Sequence, residues 1–187
     1  MKLLRAGIAL FALLASSMAS SSPPPAMEAE RLADLLVAAE RQAAHPRPTR
    51  KLAETLAALE ASGIASAEGD PDPFPAWRAR LPEESRRPPM RGRTLGAAFR
   101  RGVINPGEKL EFRQGFLAGQ LAEVAVATAG TGHFALEVIE DGGRTICRSR
   151  SAVRRASCRW VPDFSGASIV RLSNGDRAAT GFVLVLR

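Results

Sequence analysis

Between Gly142 and Pro162 the chain carries Arg144, Arg148, Arg150, Arg154, Arg155 and Arg159 and no acidic residue. A guanidinium presents a rigid fork of donors that matches phosphate, sulfate or carboxylate bidentately, so the run is a candidate anion-binding segment. Its plain alternative is a solvated basic loop in an arginine-rich chain. The same segment holds the chain's two cysteines, Cys147 and Cys158. An even count at short separation points to one disulfide, because a metal site would need more ligands and His45 and His133 stand far away among turn formers. Trp160, beside Arg159, offers a stacking surface, although a tryptophan next to a disulfide in a sandwich ordinarily belongs to the core.

Other chemistries find fewer residues. A serine hydrolase needs a nucleophile on a strained turn with a histidine base, yet there is no G-x-S-x-G. Gly166-Ala167-Ser168 has no evident partner, and His133 sits in the turn Gly130-Thr131-Gly132-His133-Phe134. A glycosidase needs two carboxylates, one perturbed by burial. Glu137, Glu140, Asp141 and Asp163 qualify by residue type, but strand alternation and turn context mark them as surface acids. Calcium would ask for a denser cluster of oxygens, and no phosphate loop or dinucleotide fingerprint occurs. No catalytic residue, metal or cofactor is assigned, and the expected function is a non-catalytic binding or accessory role. The alternative is an exported hydrolase whose active site does not show in the sequence.

The elements that must hold these residues are mostly strands. Period-two apolar alternation marks Leu110, Phe112 and Phe116; Ala122, Val124 and Val126; Phe134, Leu136 and Val138; Val170 and Leu172; and Phe182, Leu184 and Leu186. Turn residues such as Asn105-Pro106-Gly107, Asp141-Gly142-Gly143 and Asn174-Gly175-Asp176 separate them. Strand follows strand without an intervening helix, which excludes a parallel βαβ plan. The expectation is a mainly β chain whose residues 93–187 form an antiparallel β-sandwich, jelly-roll or immunoglobulin-like, of about seven or eight strands. Cys147 and Cys158 fall on two adjacent short strands, with the arginines in the loop between.

Ahead of the sandwich, Leu32, Leu35, Leu36, Ala39 and Ala43, then Leu52, Leu56 and Leu59, fall at helical spacing. Residues 20–64 therefore predict a Ser-Pro-rich spacer and a helical hairpin of about 18 and 14 residues, broken at His45-Pro46-Arg47-Pro48, with Thr49 as N-cap and Gly63 as the stop. Its charged residues read as a solvated face. Residues 65–92 are a Pro-rich tether in which Phe74, Trp77 and Leu81, at i, i+3 and i+7, make an apolar patch suited to docking.

Residues 1–19 have the grammar of a removable export signal: a basic head with Lys2 and Arg5, an apolar run over 6–15 and small residues at 16–19. Ten apolar residues span about 15 Å as helix, half of a bilayer core, so no transmembrane anchor is expected in the mature chain. The mature protein is expected in the periplasm or medium, where the cysteine pair is oxidised. The chain has 187 residues, 45% hydrophobic and 24% charged, enough for one modest core, with a net charge of +7. Residues 91–187 carry 15 basic against 8 acidic residues, whereas residues 20–90 carry 9 against 11. Only three of the 26 basic residues are lysines, so the basicity follows arginine usage and nucleic acid is not the expected partner. Envelope anions, such as lipid phosphates or acidic polysaccharide, or another exported protein fit better.

Asn105-Pro106-Gly107-Glu108, Phe112, Ala118-Gly119-Gln120, Phe134-Ala135-Leu136-Glu137-Val138, Asp141-Gly142-Gly143 and Phe182-Val183-Leu184 together resemble bacterial pre-peptidase C-terminal domains. The resemblance covers residues 93–187 and implies a small secreted β-sandwich. This chain lacks the tyrosine expected near the closing strand and adds Cys147 with Cys158-Arg159-Trp160-Val161-Pro162. The order of parts is similar to that of uncharacterised exported proteobacterial proteins, which implies no activity.

Overall fold

Ala29, Leu32, Ala33 and Leu36 recur at the helical period and form the buried face of α1 (Glu28–Ala44). The helix stops at His45 because Pro46 disfavours a helical residue before it. In α2 (Arg50–Ala61), Leu52, Leu56 and Leu59 are buried in the same cluster as the α1 leucines. The computed structural model describes residues 27–47, 50–83, 96–130, 132–150 and 154–187. The export segment expected over 1–19, Thr49 as N-cap and the last part of the tether lie outside the described residues. After α2, Gly63 takes φ +68, the left-handed conformation that glycine adopts without penalty past a helix end. Gly96 passes so close that a Cβ there would lie 2.4 Å from the Gly63 carbonyl oxygen. Both positions require glycine.

The short β1 (Ala65–Ser66) runs parallel to β2 (Ala98–Ile104), and α3 (Phe74–Ala79) lies between them in sequence. Phe74, Trp77 and Leu81 are buried with the α1 and α2 leucines, Phe74 meeting Trp77 edge-on at 5.6 Å and Phe99 at 6.0 Å. The remaining strands are β3 (Lys109–Phe116), β4 (Ala122–Ala127), β5 (Phe134–Glu140), β6 (Thr145–Arg150), β7 (Arg155–Trp160), β8 (Gly166–Asn174) and β9 (Thr180–Leu186).

One sheet has the order β1-β2-β9-β4-β7 and the other β3-β8-β5-β6. The antiparallel pairs nest: β5 with β6, β4 with β7, β3 with β8, and β2 with β9. That order is a long hairpin rolled over two sheets, the jelly-roll form of the sandwich rather than the immunoglobulin form. Val124, Val126, Leu136, Val138, Val170, Leu172 and Leu184 are buried between the sheets. A second apolar cluster sits on the outer face of the first sheet, where Phe99, Ala125, Ala127, Val183 and Val185 meet the helices. β4 is consequently buried on both faces. The apolar core thus continues from the helical region into the strands.

Cys147 and Cys158 are disulfide-bonded, with their Cα atoms 6.0 Å apart. The two strands are adjacent in sequence but belong to different sheets: β6 is the edge of one and β7 the edge of the other. The bridge therefore clamps the two sheets together along one open side rather than stapling a loop. On the opposite side Arg100 closes the gap, its guanidinium 5.3 Å from the Phe112 ring centre and 3.0 Å from Asp70.

Candidate functional site

Two strands, rather than a loop, carry most of the arginine segment. Arg148 and Arg150 lie on β6, Arg155 and Arg159 on β7, Arg144 in the turn before β6, and Arg154 in the connection between the strands. The acids absent from the local sequence arrive from elsewhere in the fold. Arg144 makes two 2.8 Å bonds to Glu140, whose carboxyl this pairing holds below the usual range. Arg148 lies 2.7 Å from Glu137, Arg155 2.8 Å from Asp34, and Arg159 reaches Glu123 through two bonds of 3.0 and 2.7 Å. Arg150 and Arg154 have no carboxylate partner among the described residues.

Glu123 is an acid that sequence reasoning does not single out. The pattern turns Ala122, Val124 and Val126 toward the neighbouring sheet and Glu123 outward, yet the outer face lies under α1 and Glu123 has 0% exposure. The Ala29 N–H at the start of α1 donates to it at 3.1 Å, and Arg187 lies 3.4 Å away. Burial pushes its carboxyl up, but the bonds from Arg159 and Ala29, with the charges of Arg159 and Arg187, outweigh this and leave it below its usual range. Ser157 donates to Glu30, one helical turn before Asp34. Four helical residues advance about 6 Å and two strand residues about 6.6 Å, so Glu30 and Asp34 keep step with Ser157 and Arg155. These two acids of α1 bridge to the sheet, Asp34 while still exposed to solvent.

The exposed face of the other sheet holds a row of alternating sign. Glu111 on β3, Arg171 on β8, Glu137 on β5 and Arg148 on β6 are register partners, linked by contacts of 2.7, 3.1 and 2.7 Å. Arg144 and Arg148 are thereby committed to surface pairs, while Arg155 and Arg159 join the helix to the sheet. Among the other candidates, Asp141 pairs with Arg113 at 2.8 Å. His133 is exposed, and its backbone N–H donates to Asp176 at 2.8 Å. Trp160 stacks edge-on to Phe116 at 4.8 Å and packs against the inter-sheet core. Among the described residues, no three His, Cys, Asp or Glu side chains gather as a metal site.

Arg150 and Arg154, the two arginines of the segment without a carboxylate among the described residues, lie at the β6–β7 end of the molecule. There Arg154 and Arg155 line a groove of about 550 Å³ between α1 and the sheet. At the opposite end of β7, the β3–β4 and β7–β8 turns are tied by a 2.9 Å bond from Gly119 N–H to the Pro162 carbonyl and expose Leu117, Leu121, Val161 and Phe164.

No family model matches the chain, and no curated protein matches it. The chain is similar to the pre-peptidase C-terminal domain of collagenase from Bacillus anthracis, at 6% identity and TM-score 0.43, over 48% of this chain and 87% of that one. It is similar to the Yersinia pseudotuberculosis-derived mitogen at 15% identity and TM-score 0.42, over 49% and 84% of the two chains. Aeromonas hydrophila PliG, a periplasmic lysozyme inhibitor, follows at 14% and 0.38, over 48% and 83%.

Proposed function

We propose that the chain is an exported, non-catalytic binding module with an anionic ligand. The observation that carries this reading is that Arg150 and Arg154 have no carboxylate partner among the described residues, Arg154 lining the groove, while the other four arginines of the segment are held by carboxylates. Guanidinium groups free of carboxylates are available to an external oxyanion. Export is supported by the basic head and apolar run of residues 1–19 and by a disulfide that an oxidising compartment favours. No helix among the described residues is long and apolar enough to cross a membrane.

The test is retention of the whole mature protein on heparin, compared with the Arg148→Ser, Arg150→Ser, Arg154→Ser, Arg155→Ser variant. We expect the parent to be retained, to elute with rising salt and to lose most of its retention in the variant. Equal retention of the two would remove this segment from anion binding. Hydrolysis of an ester, peptide or glycoside substrate that disappears in His133→Ala would replace the binding module by an enzyme. For export, N-terminal sequencing of the natural protein should begin near Ser20, and a start at Met1 or Lys2 would reject the signal.

A further inference from the structure

Arg154 adopts φ +61, the one positive φ among the described non-glycine residues. That region suits glycine, asparagine or aspartate better than arginine, so the surroundings hold the residue there against its local preference. Thr128 N–H donates to the Arg154 carbonyl at 3.1 Å, fixing the backbone at the groove. From the other wall α1 contributes Arg31 and Arg41. Ten helical residues place these two about 15 Å apart along the axis. Four guanidinium groups therefore face one carboxylate, Asp34, which is bound to Arg155. Arg31 is held by Glu28, whereas Arg41, like Arg154, has no carboxylate among the described residues.

We propose that this groove is a composite site for an acidic oligosaccharide, with Arg41 of the helix and Arg154 of the sandwich as its principal contacts. The inference rests on the anion-binding reading above and adds the helix, which the charge balance of the sequence leaves out. Positive charge strung along about 15 Å suits a ligand with repeating oxyanions. The volume lies within the range of about 300–1,000 Å³ common to small-ligand clefts. A concave groove between helix and strand receives a chain but not the flat plane of a bilayer. Leu35 and Ala38, between the arginines, offer an apolar floor to the C–H faces of sugar rings.

The experiment titrates the whole mature protein with a size-defined heparin oligosaccharide at several salt concentrations. Arg41→Ser and Arg154→Ser should each weaken binding about three- to tenfold and lower the slope of log K against log salt by roughly one. Asp34→Asn, which removes the carboxylate that lines the groove, should tighten binding. A purely structural role for these residues would not produce that gain. Arg41→Ser should melt like the parent, which separates lost contacts from lost fold. If the parent binds and Arg41→Ser binds equally well, the composite site is wrong while the anion-binding reading stands. If the parent binds no heparin, both fail. Stronger binding to phosphatidylglycerol vesicles than to the oligosaccharide would overturn the choice of ligand.

Discussion

The two sheets of the jelly roll turn opposite kinds of outer face to their surroundings. On the helix-covered sheet, Phe99, Ala125, Val183 and Val185 are buried beneath α1, and the one acid among them, Glu123, is fully enclosed. On the other sheet, Glu111, Arg171, Glu137 and Arg148 form a row of alternating charge on the open face, with Glu111 and Arg148 exposed at its ends and Arg171 and Glu137 partly buried between them. The same pairing of chemical groups, carboxylate with guanidinium, does different things in the two places. Under the helix it neutralises a buried charge and supplies an acceptor to a helix N-terminus that lacks a side-chain cap of its own. On the open face each end pair competes with water and salt, and its net contribution is small.

Removing the cover should break the comparison most completely. A chain beginning at residue 91 would expose the outer face of the first sheet, and we expect it to aggregate or remain unfolded rather than give a soluble sandwich. A cooperative melt from a monomeric 91–187 protein would show that the strands form an independent unit. Next in size is the clamp along the edges: Cys147→Ser with Cys158→Ser should cost about 3 kcal/mol by loop-closure entropy, measured as a lower urea midpoint with a slope equal to or steeper than the parent's, because the unfolded chain is no longer crosslinked. Mass measurement with and without reduction before alkylation should find both thiols blocked in the natural protein, and two free thiols would remove the bridge.

Glu123→Gln should cost about 2 kcal/mol, because a buried ion pair and a charged helix-end contact are both weakened while Arg159 and Arg187 can turn toward water. The same variant sharpens the comparison in pH. Glu123 titrates lower in the folded protein than its ordinary 4.5. Its contribution is therefore complete above about pH 4.5 and is lost as pH falls through the folded value. Acid titration of stability should be shallower in Glu123→Gln than in the parent, and superimposable curves would mean that the buried carboxylate is not the source of acid sensitivity. The smallest effect belongs to the outer end of the charged row, where Glu111→Gln should cost less than about 1 kcal/mol and less still at high salt. A loss equal to that of Glu123→Gln would erase the distinction between the faces.

Much of the architecture is legible locally. The alternation at Phe112, Val124, Leu136, Val170 and Leu184 marks five strands, and the leucines of α1 and α2 mark the hairpin with its proline break. β2 escapes detection because Arg100, Arg101 and Gly102 interrupt its apolar pattern, the strand being helix-covered at Phe99 and exposed toward Val103. The arginines are conspicuous in sequence, but their partners are not. Asp34 lies 121 residues from Arg155 and Glu123 lies 94 from Ala29, separations at which no spacing rule operates. Glu123 goes unnoticed for one physical reason. Alternation distinguishes the two faces of a strand, and whether the outer one meets water depends on an element elsewhere in the chain.

The nesting of the strand pairs also orders events in time. The β5–β6 hairpin needs only neighbouring residues, whereas each pair outside it closes a longer loop, and β2–β9 closes the longest. β9 lies between β2 and β4, so the middle of the helix-covered sheet does not exist until residues 180–186 have emerged. Until then β2 and β4 each present an unpaired edge where β9 will lie, and apolar faces besides, the condition in which chains associate wrongly. A truncation of seven residues at the C-terminus should therefore be as damaging as a lesion at the centre of the fold.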